Sequence, residues 1–168
     1  FVTPSLAQVP ADRPSTQVYA LVSDPESLPQ VPADSSSTQV YVLISDSDEN
    51  SLPLPPLKYK VYLPAGYDPN REQGYPVLYL LHGSHGNEAS WDDFWPVLDE
   101  MIEKGTIEPV IAVAPVTGNS YWVDSKKFGA YETAVIHHLI PTIDAYYNTI
   151  PSREGRFLVG YSMGGFGA

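Results

Sequence analysis

The sequence predicts an α/β fold in which a mostly parallel β-sheet carries helices on both faces. Continuous apolar runs, typical of strands buried on both faces, alternate along the chain with helical stripes. Composition marks where this domain begins, since all 12 glycines lie at or after Gly66 and 9 of the 17 prolines lie before Leu57. We therefore predict an acidic extension rich in proline and serine (residues 1–56) and an α/β domain (residues 57–168).

Four segments of the domain predict strands. Residues 58–63 alternate polar and apolar side chains and stop at Pro64, as a half-buried strand does. Three continuous apolar runs bounded by turn residues predict strands buried on both faces, at residues 77–81, 110–114 and 156–160.

Two segments predict helices. Apolar residues at helical spacing within 97–102 predict a short amphipathic helix, which Lys104 and Gly105 close with a basic last turn and a glycine. A longer stripe predicts a helix within 131–147, and Pro141 inside it predicts a kink or a break. The apolar positions of that stripe are Tyr131, Val135, Leu139 and Ile143.

The extension contains a duplication. Residues 8–24 and 30–46 are identical at 13 of 17 positions, at an offset of 22. Each copy holds a short apolar stretch framed by proline, serine and aspartate, which is typical of a strand between breakers. We expect the second copy to pair with the following domain as an edge strand or hairpin. For the first copy, a strand and an acidic linker with little structure both stay open.

Composition narrows the function classes. The formal net charge of −11 argues against a nucleic-acid binder, and the absence of cysteine excludes a disulfide scaffold, a thiolate metal site and a cysteine nucleophile. No apolar run approaches the roughly 20 residues that span a bilayer. Small residues at positions 5 and 7, before Gln8, are typical of a secretory cleavage site. We predict a secreted or periplasmic protein, with the cytoplasm as the alternative.

Directly after the last predicted strand, residues 160–164 fit the pattern G-x-S-x-G. This pattern places a serine hydroxyl on a tight strand-to-helix turn, where side chains at Gly160 and Gly164 would collide with backbone. Ser162 is therefore the predicted nucleophile, and the Met163 N–H is predicted to point to where an oxyanion develops. A glycine-rich turn without chemistry is the alternative.

A second loop, residues 82–86, follows the strand expected to lie beside the serine strand. Such a loop can supply the second N–H of an oxyanion hole. Ser84, which follows His82 and Gly83, is the favoured donor; His85 and Gly83 are alternatives, and an ordinary β–α turn stays open.

With these motifs the sequence resembles the esterase family of α/β-hydrolases that includes feruloyl and acetyl xylan esterases, S-formylglutathione hydrolases and mycolyltransferases. The resemblance covers most of 57–168 in the family's order. The matching segments are residues 61–68, 75–83, 118–125, 139–144 and 160–168.

The resemblance implies a Ser-His-Asp/Glu triad that needs no cofactor, in which Ser162 attacks an ester carbonyl while the Met163 and Ser84 amides hold the oxyanion. In such folds the acid and the histidine follow the serine, and six residues follow Ser162 in this chain. We therefore expect a partial α/β-hydrolase fold, truncated just after the nucleophile elbow and inactive or nearly so by itself. Residues 156–160 are then expected to form an open apolar edge that favours association.

Other side chains are weighed against this assignment. His82 is expected to be a packed, hydrogen-bonded loop residue rather than a base, and the adjacent His137 and His138 a helix surface rather than a ligand pair. No spacing typical of a metal site occurs. Five acidic residues are expected to be solvated on helix starts or polar faces: Asp92, Asp93, Asp99, Glu100 and Asp144. Four aromatic residues either line an acyl pocket or pack: Trp91, Trp95, Tyr121 and Trp122.

The leading hypothesis is a serine carboxylic ester hydrolase acting through an acyl-enzyme on a small or polysaccharide-linked ester. One alternative is an acyltransferase of the mycolyltransferase type, which passes the same acyl group to a sugar or lipid hydroxyl. The other is a non-catalytic binding protein with a hydrolase fold.

Overall fold

The structure, a computed structural model, describes residues 36–43 and 52–168. These residues form seven strands: β1 (Ser37–Leu43), β2 (Leu57–Leu63), β3 (Val77–Leu81), β4 (Ile111–Val116), β5 (Asp124–Ser125), β6 (Gly129–Ala130) and β7 (Arg156–Gly160). The α-helices are α1 (Trp95–Glu103), α2 (Tyr131–Thr133), α3 (Ile140–Tyr146) and α4 (Met163–Gly167). Short 3₁₀ turns at Asp92–Phe94 and Arg153–Gly155 precede α1 and β7.

The main sheet has five strands in the order β1-β2-β4-β3-β7. Strands β1, β2 and β4 pair antiparallel, whereas β3 lies parallel to both β4 and β7. The sheet is therefore mixed, and its parallel half carries the two predicted motifs. Because parallel neighbours end at the same edge, the loops after β3 and β7 meet there. Strands β5 and β6 form a separate small hairpin.

Helices cover both faces of the sheet, as the apolar pattern predicts. On one face α1 buries Leu98 and Trp95 against a cluster that includes Tyr62 and Leu80. On the other face the segment from α2 to α3 buries side chains against a larger cluster that includes Val77. The helical residues buried on that second face are Ala134, Leu139 and Ile143.

Strand β2 is buried along most of its length, so the prediction of a half-buried strand is wrong. Lys60, a polar position of the alternating pattern, is only 9% exposed. Its ammonium reaches Asp92, in the 3₁₀ turn before α1, at 2.5 Å. A long aliphatic stem can be covered while its charge stays paired, and the alternation of residue types does not reveal this.

The helical stripe within 131–147 is confirmed, but Pro141 does not break it. A π-helical segment, Ala134–Leu139, follows α2 and leads directly into α3. Pro141 therefore lies in the first turn of α3, where a missing N–H is tolerated. The irregularity appears one turn before the proline rather than at it.

At the two edges of the sheet one strand is as predicted and the other is only partly so. Strand β1, from the second copy of the duplication, pairs with β2 as predicted, whereas the first copy lies outside the described residues. Strand β7 is not buried on both faces, since Phe157 and Leu158 are each 53% exposed and Val159 is 41% exposed. Within the described part of the chain β7 pairs only with β3, so the expected open apolar edge is present.

Candidate active site

Ser162 lies between the end of β7 and the start of α4. Its backbone angles are φ 53° and ψ −119°, a conformation that residues with a Cβ rarely adopt. The residue is exposed at the surface. The predicted strand-to-helix position of the G-x-S-x-G pattern is therefore what the structure shows.

Two glycines let strand and helix approach this closely. A Cβ at Gly164 would overlap the Leu81 carbonyl oxygen at the end of β3. A Cβ at Gly160 would overlap the Gly164 carbonyl. Both obstacles are backbone atoms and cannot rotate away, so the turn depends on the missing side chains.

The β3 loop (residues 82–86) lies beside this β7 turn (residues 160–164). A Cβ at Gly83 would lie 3.4 Å from Ser162 Cβ and 2.7 Å from Tyr161 Cε2, so the structure brings the two motifs into contact. Met163 is the first residue of α4, where backbone N–H groups have no partner within the helix. Its side chain is 3% exposed and packs with Leu81.

His82 is held at both ring nitrogens and is only 1% exposed. Its Nε2 accepts a hydrogen bond from the Thr117 N–H at 3.0 Å, so Nδ1 carries the hydrogen and donates to the Gly83 carbonyl at 2.6 Å. Burial lowers the pKa of His82 below its ordinary value of 6.5. The prediction of a packed, hydrogen-bonded loop residue is confirmed.

The bond from His82 orients the peptide between Gly83 and Ser84. The Gly83 carbonyl accepts from His82 Nδ1 and also from the Gly86 N–H at 3.2 Å. In a trans peptide the N–H points opposite to the C=O, so the Ser84 N–H is directed away from these donors. The His85 N–H is already engaged, since it donates to Asn119 Oδ1 at 2.7 Å.

The four aromatic candidates divide between core and surface. Trp95 stacks on Tyr62 with ring centroids 5.7 Å apart, and Trp122 packs 5.0 Å from the His82 ring. Trp91 is half-buried, whereas Tyr121 is 53% exposed. Both rings contact residues near Ser162. The Trp91 ring lies 5.4 Å from that of Tyr161, and the Tyr121 ring lies 6.1 Å from that of Phe166.

Three of the acidic candidates bind neighbouring elements. Asp92 is exposed, as expected, whereas Asp99 and Asp144 are half-buried, so the expectation of a solvated carboxylate is wrong for those two. Asp99 accepts from Tyr62 Oη at 2.7 Å and Ser36 Oγ at 2.9 Å. Asp144 accepts from Thr149 Oγ1 at 2.6 Å and pairs with Arg156 at 2.5 Å. Asp92 receives Lys60 and the Trp95 Nε1–H. Glu100 pairs with Lys104 on the exposed side of α1, and Asp93 is exposed.

The remaining histidines lie on a helix surface. His137 is exposed and His138 is half-buried in the π-helical segment. Among residues 36–43 and 52–168, no three histidine, aspartate or glutamate side chains converge as a metal site would require. Over the same residues, no helix has both the length and the apolar character that crossing a bilayer demands.

Sequence reasoning offered Tyr121 and Trp122 of the loop after β4 as pocket or packing residues, but it did not predict that this loop holds the β3 loop in place. Thr117 bonds His82, Asn119 bonds His85, and Trp122 Nε1 donates to the His82 carbonyl at 3.2 Å. Tyr121 and Trp122 adopt φ values of 59° and 62°. The contact between the two loops could have been predicted from the topology, because parallel strands such as β3 and β4 end at the same edge of the sheet.

A family model described as Putative esterase matches residues 55–168. An endo-1,4-beta-xylanase/feruloyl esterase of Xylanibacter ruminicola is 38% identical over 115 residues, which cover 62% of this chain and 16% of that protein. An esterase of Mycobacterium tuberculosis is 39% identical over 101 residues, covering 56% of this chain and 21% of that protein.

Solved structures show the same likeness. A ferulic acid esterase is 31% identical with a TM-score of 0.68, over 79% of this chain and 51% of that chain. An S-formylglutathione hydrolase from Agrobacterium tumefaciens, 18% identical with a TM-score of 0.59 over 82% of this chain and 55% of that chain, shares the fold alone. The chain thus spans about half the length of these two structures and less of the two relatives. Because the matched segment holds more than half of the chain and both loops described above, the chain belongs to the Putative esterase family of α/β-hydrolases.

Proposed function

We propose that Ser162 is the nucleophile of a serine carboxylic ester hydrolase that works through an acyl-enzyme. The observation that carries this proposal is the strained, exposed turn at Ser162, with φ 53° between β7 and α4. Such a backbone costs on the order of 1–3 kcal/mol and persists only where the surrounding structure enforces it. A strained strand-to-helix turn of this kind is expected where a serine hydroxyl must reach the carbonyl carbon of a substrate.

In the proposed reaction, Ser162 Oγ attacks the ester carbonyl carbon while a histidine accepts its proton. The Met163 and Ser84 N–H groups donate to the oxyanion that forms. The tetrahedral intermediate then expels the alcohol, which takes the proton from the histidine and leaves an acyl ester on Ser162. Water, deprotonated by the same histidine, attacks this ester, and the acid is released as Ser162 regains its proton.

Within this scheme His82 is a positioning residue rather than the base. Both of its ring nitrogens are occupied, by the Gly83 carbonyl and the Thr117 N–H. Its bond to Gly83 supports Ser84 as the second oxyanion donor, because it directs the Ser84 N–H to the opposite side of the peptide. Loss of one oxyanion donor costs roughly 3–4 kcal/mol of transition-state stabilisation in related chemistry.

We assign the triad histidine and acid to residues outside these 168. None of the four histidines of the chain hydrogen-bonds Ser162 in the structure, and His82 cannot accept its proton while it accepts from Thr117. The three engaged carboxylates, of Asp92, Asp99 and Asp144, bind structural partners instead. By itself, this chain is then expected to be nearly inactive.

For the substrate we propose a small or carbohydrate-linked acyl ester. The names of the similar proteins, a xylanase/feruloyl esterase and a ferulic acid esterase, support this class. Ring pairs near Ser162, Tyr121 with Phe166 and Trp91 with Tyr161, offer aromatic edges to an acyl ring. Because polysaccharide esters lie outside the cell, we also propose that the protein acts as a secreted or periplasmic enzyme.

The test compares the 168-residue chain with the longest natural form of the protein, using 4-nitrophenyl acetate and methyl ferulate. In the longer form, Ser162→Ala is expected to lower kcat at least 10³-fold. Ser84→Ala keeps its N–H and is expected to leave kcat nearly unchanged, whereas Ser84→Pro removes the N–H and is expected to lower kcat about 10²–10³-fold.

Full activity of the Ser162→Ala variant would disprove the nucleophile assignment. Equal effects of Ser84→Ala and Ser84→Pro would disprove the oxyanion assignment. Ser162-dependent turnover by the 168-residue chain would show that the base lies within it.

A further inference from the structure

Strand β1 comes from the second copy of the duplicated segment and lies beside β2 over its whole length. The two strands pair antiparallel from Ser37 opposite Leu63 to Leu43 opposite Leu57. Since the side chains of a strand alternate between its faces, Tyr41 and Leu43 point to the same side of the sheet.

The side of β1 that carries Tyr41 makes the specific contacts. Tyr41 is 3% exposed and its ring stacks on that of Tyr59 with centroids 5.4 Å apart. Its hydroxyl donates to Gln39 Oε1 at 2.5 Å and accepts from the Tyr147 hydroxyl at 3.1 Å. Leu43 packs against the same apolar cluster. This place beside β2 therefore selects a tyrosine, with a glutamine two residues before it and a leucine two residues after.

The first copy repeats every side chain on that face. Residues 15–21 read STQVYAL and residues 37–43 read STQVYVL, so they differ only where Ala20 stands in place of Val42. Val42 is on the opposite face from Tyr41 and is half-buried. The one difference therefore spares the tyrosine, glutamine and leucine that the place beside β2 selects.

We propose that the place beside β2 is a binding surface for this seven-residue sequence, and that residues 15–21 of the same chain occupy it as an alternative to β1. Strand addition suits such exchange, because main-chain hydrogen bonds supply affinity and alternate side chains supply selectivity. The extension then joins the sheet at either of two points that are 22 residues apart.

Two features favour β1 over residues 15–21. The connection to β2 has 13 residues after Leu43 but 35 after Leu21, which lowers the population of the longer arrangement about fourfold. Ser36 donates to Asp99 at 2.9 Å, whereas the corresponding residue of the first copy is Pro14. Residues 15–21 are therefore the minor occupant until β1 is weakened.

The first test measures thermal unfolding of the 168-residue chain with Tyr19→Ala, Tyr41→Ala and both substitutions together. Tyr19→Ala alone is expected to leave Tm unchanged, and Tyr41→Ala to lower it. In the Tyr41→Ala background, Tyr19→Ala is expected to lower Tm by a further 2 °C or more, roughly. No further loss in the double variant would overturn the proposal.

The second test uses the absence of cysteine, so that any disulfide reports only on introduced pairs. Val42 lies directly opposite Lys58, and opposed residues on antiparallel strands are close enough for a disulfide. Val42→Cys with Lys58→Cys is the positive control. Ala20→Cys with Lys58→Cys, in the Tyr41→Ala background, is expected to cross-link within one chain. Absence of this link, or a link between two chains, would overturn the proposal.

Discussion

The β3 loop and the β7 turn lie side by side at one edge of the sheet, yet their backbones are held by different forces. In the β3 loop, hydrogen bonds with side chains fix the peptides, because His82 donates to the Gly83 carbonyl and Asn119 accepts from the His85 N–H. In the β7 turn, close packing of backbone against backbone fixes Ser162, because Gly160 and Gly164 have no side chains.

Because of this difference, the β3 loop is expected to respond to pH and the β7 turn to added side-chain volume. A backbone held by a histidine responds to pH and can be loosened one bond at a time. A backbone held by contact between main-chain atoms has no group to titrate, and it tolerates no added volume. Steric fixation thus suits the proposed nucleophile, which must keep a strained conformation, while hydrogen bonds suit the peptide proposed to donate an N–H.

The largest expected effect tests whether steric contact between backbone atoms holds the β7 turn. Gly164→Ala places a Cβ onto the Leu81 carbonyl oxygen, and neither backbone can yield. We expect a loss of roughly 3 kcal/mol in the free energy of unfolding, measured by urea titration. Gly165→Ala is the matched control, because its Cβ would lie 3.5 Å from the Gly160 oxygen, an ordinary contact, and should change stability by less than about 1 kcal/mol. Similar losses in both variants would refute steric fixation.

The next effect is the pH dependence of the free energy of unfolding that His82 gives through the β3 loop. Because the pKa of His82 is lowered in the folded chain, the unfolded chain binds more protons as pH falls through 6.5. The free energy of unfolding is therefore expected to fall from pH 7.5 to pH 5 through this residue. His82→Leu should cost about 2 kcal/mol at pH 7.5, since it leaves the Thr117 N–H without a partner and leaves the Gly83 carbonyl with only the Gly86 N–H.

The same variant should flatten the pH dependence. Asn119→Ala, which removes a hydrogen bond of the same loop without removing an ionisable group, is the control and should leave the pH dependence as in the parent chain. An unaltered slope in His82→Leu would show that other groups carry the acid sensitivity.

The smallest expected effect is at the rim of the β3 loop. Asn119→Ala removes the acceptor of the exposed His85 N–H and should cost about 1 kcal/mol in the free energy of unfolding. Asn119→Asp keeps an oxygen at this position and should cost less. If both substitutions cost the same, the side-chain bond is not what holds the loop.

Local patterns predicted the strands and the first helix, because each is encoded by neighbouring residues. The strand Val77–Leu81 and the glycine that ends α1, Gly105 at φ 66°, illustrate this. The close approach at Gly160 was also readable, since only glycine allows it. The two motifs gave Ser162, Met163 and Ser84 their expected roles, and the family resemblance then added a triad to them; these roles stay predictions.

Contacts between distant segments were not readable. Asp144 was expected to be solvated, but it binds Thr149 and Arg156, which follow α3 in the chain. No local pattern in the sequence predicts these two contacts. The prediction that β7 is buried on both faces was wrong for the same reason, because the burial of a strand depends on which elements pack beside it. Tyr121 and Trp122 gave no signal of their positive φ, since aromatic residues ordinarily avoid that conformation.

The contact between Trp122 and His82 also offers an intrinsic fluorescent probe of the β3 loop. The Trp122 indole lies 5.0 Å from the His82 imidazole and donates to the carbonyl of the same residue, so protonation of that ring is expected to change the emission of the indole. With Trp91 and Trp95 replaced by phenylalanine, the remaining tryptophan would follow protonation at the β3 loop by fluorescence. The loop's state could then be read optically, without substrate or added dye.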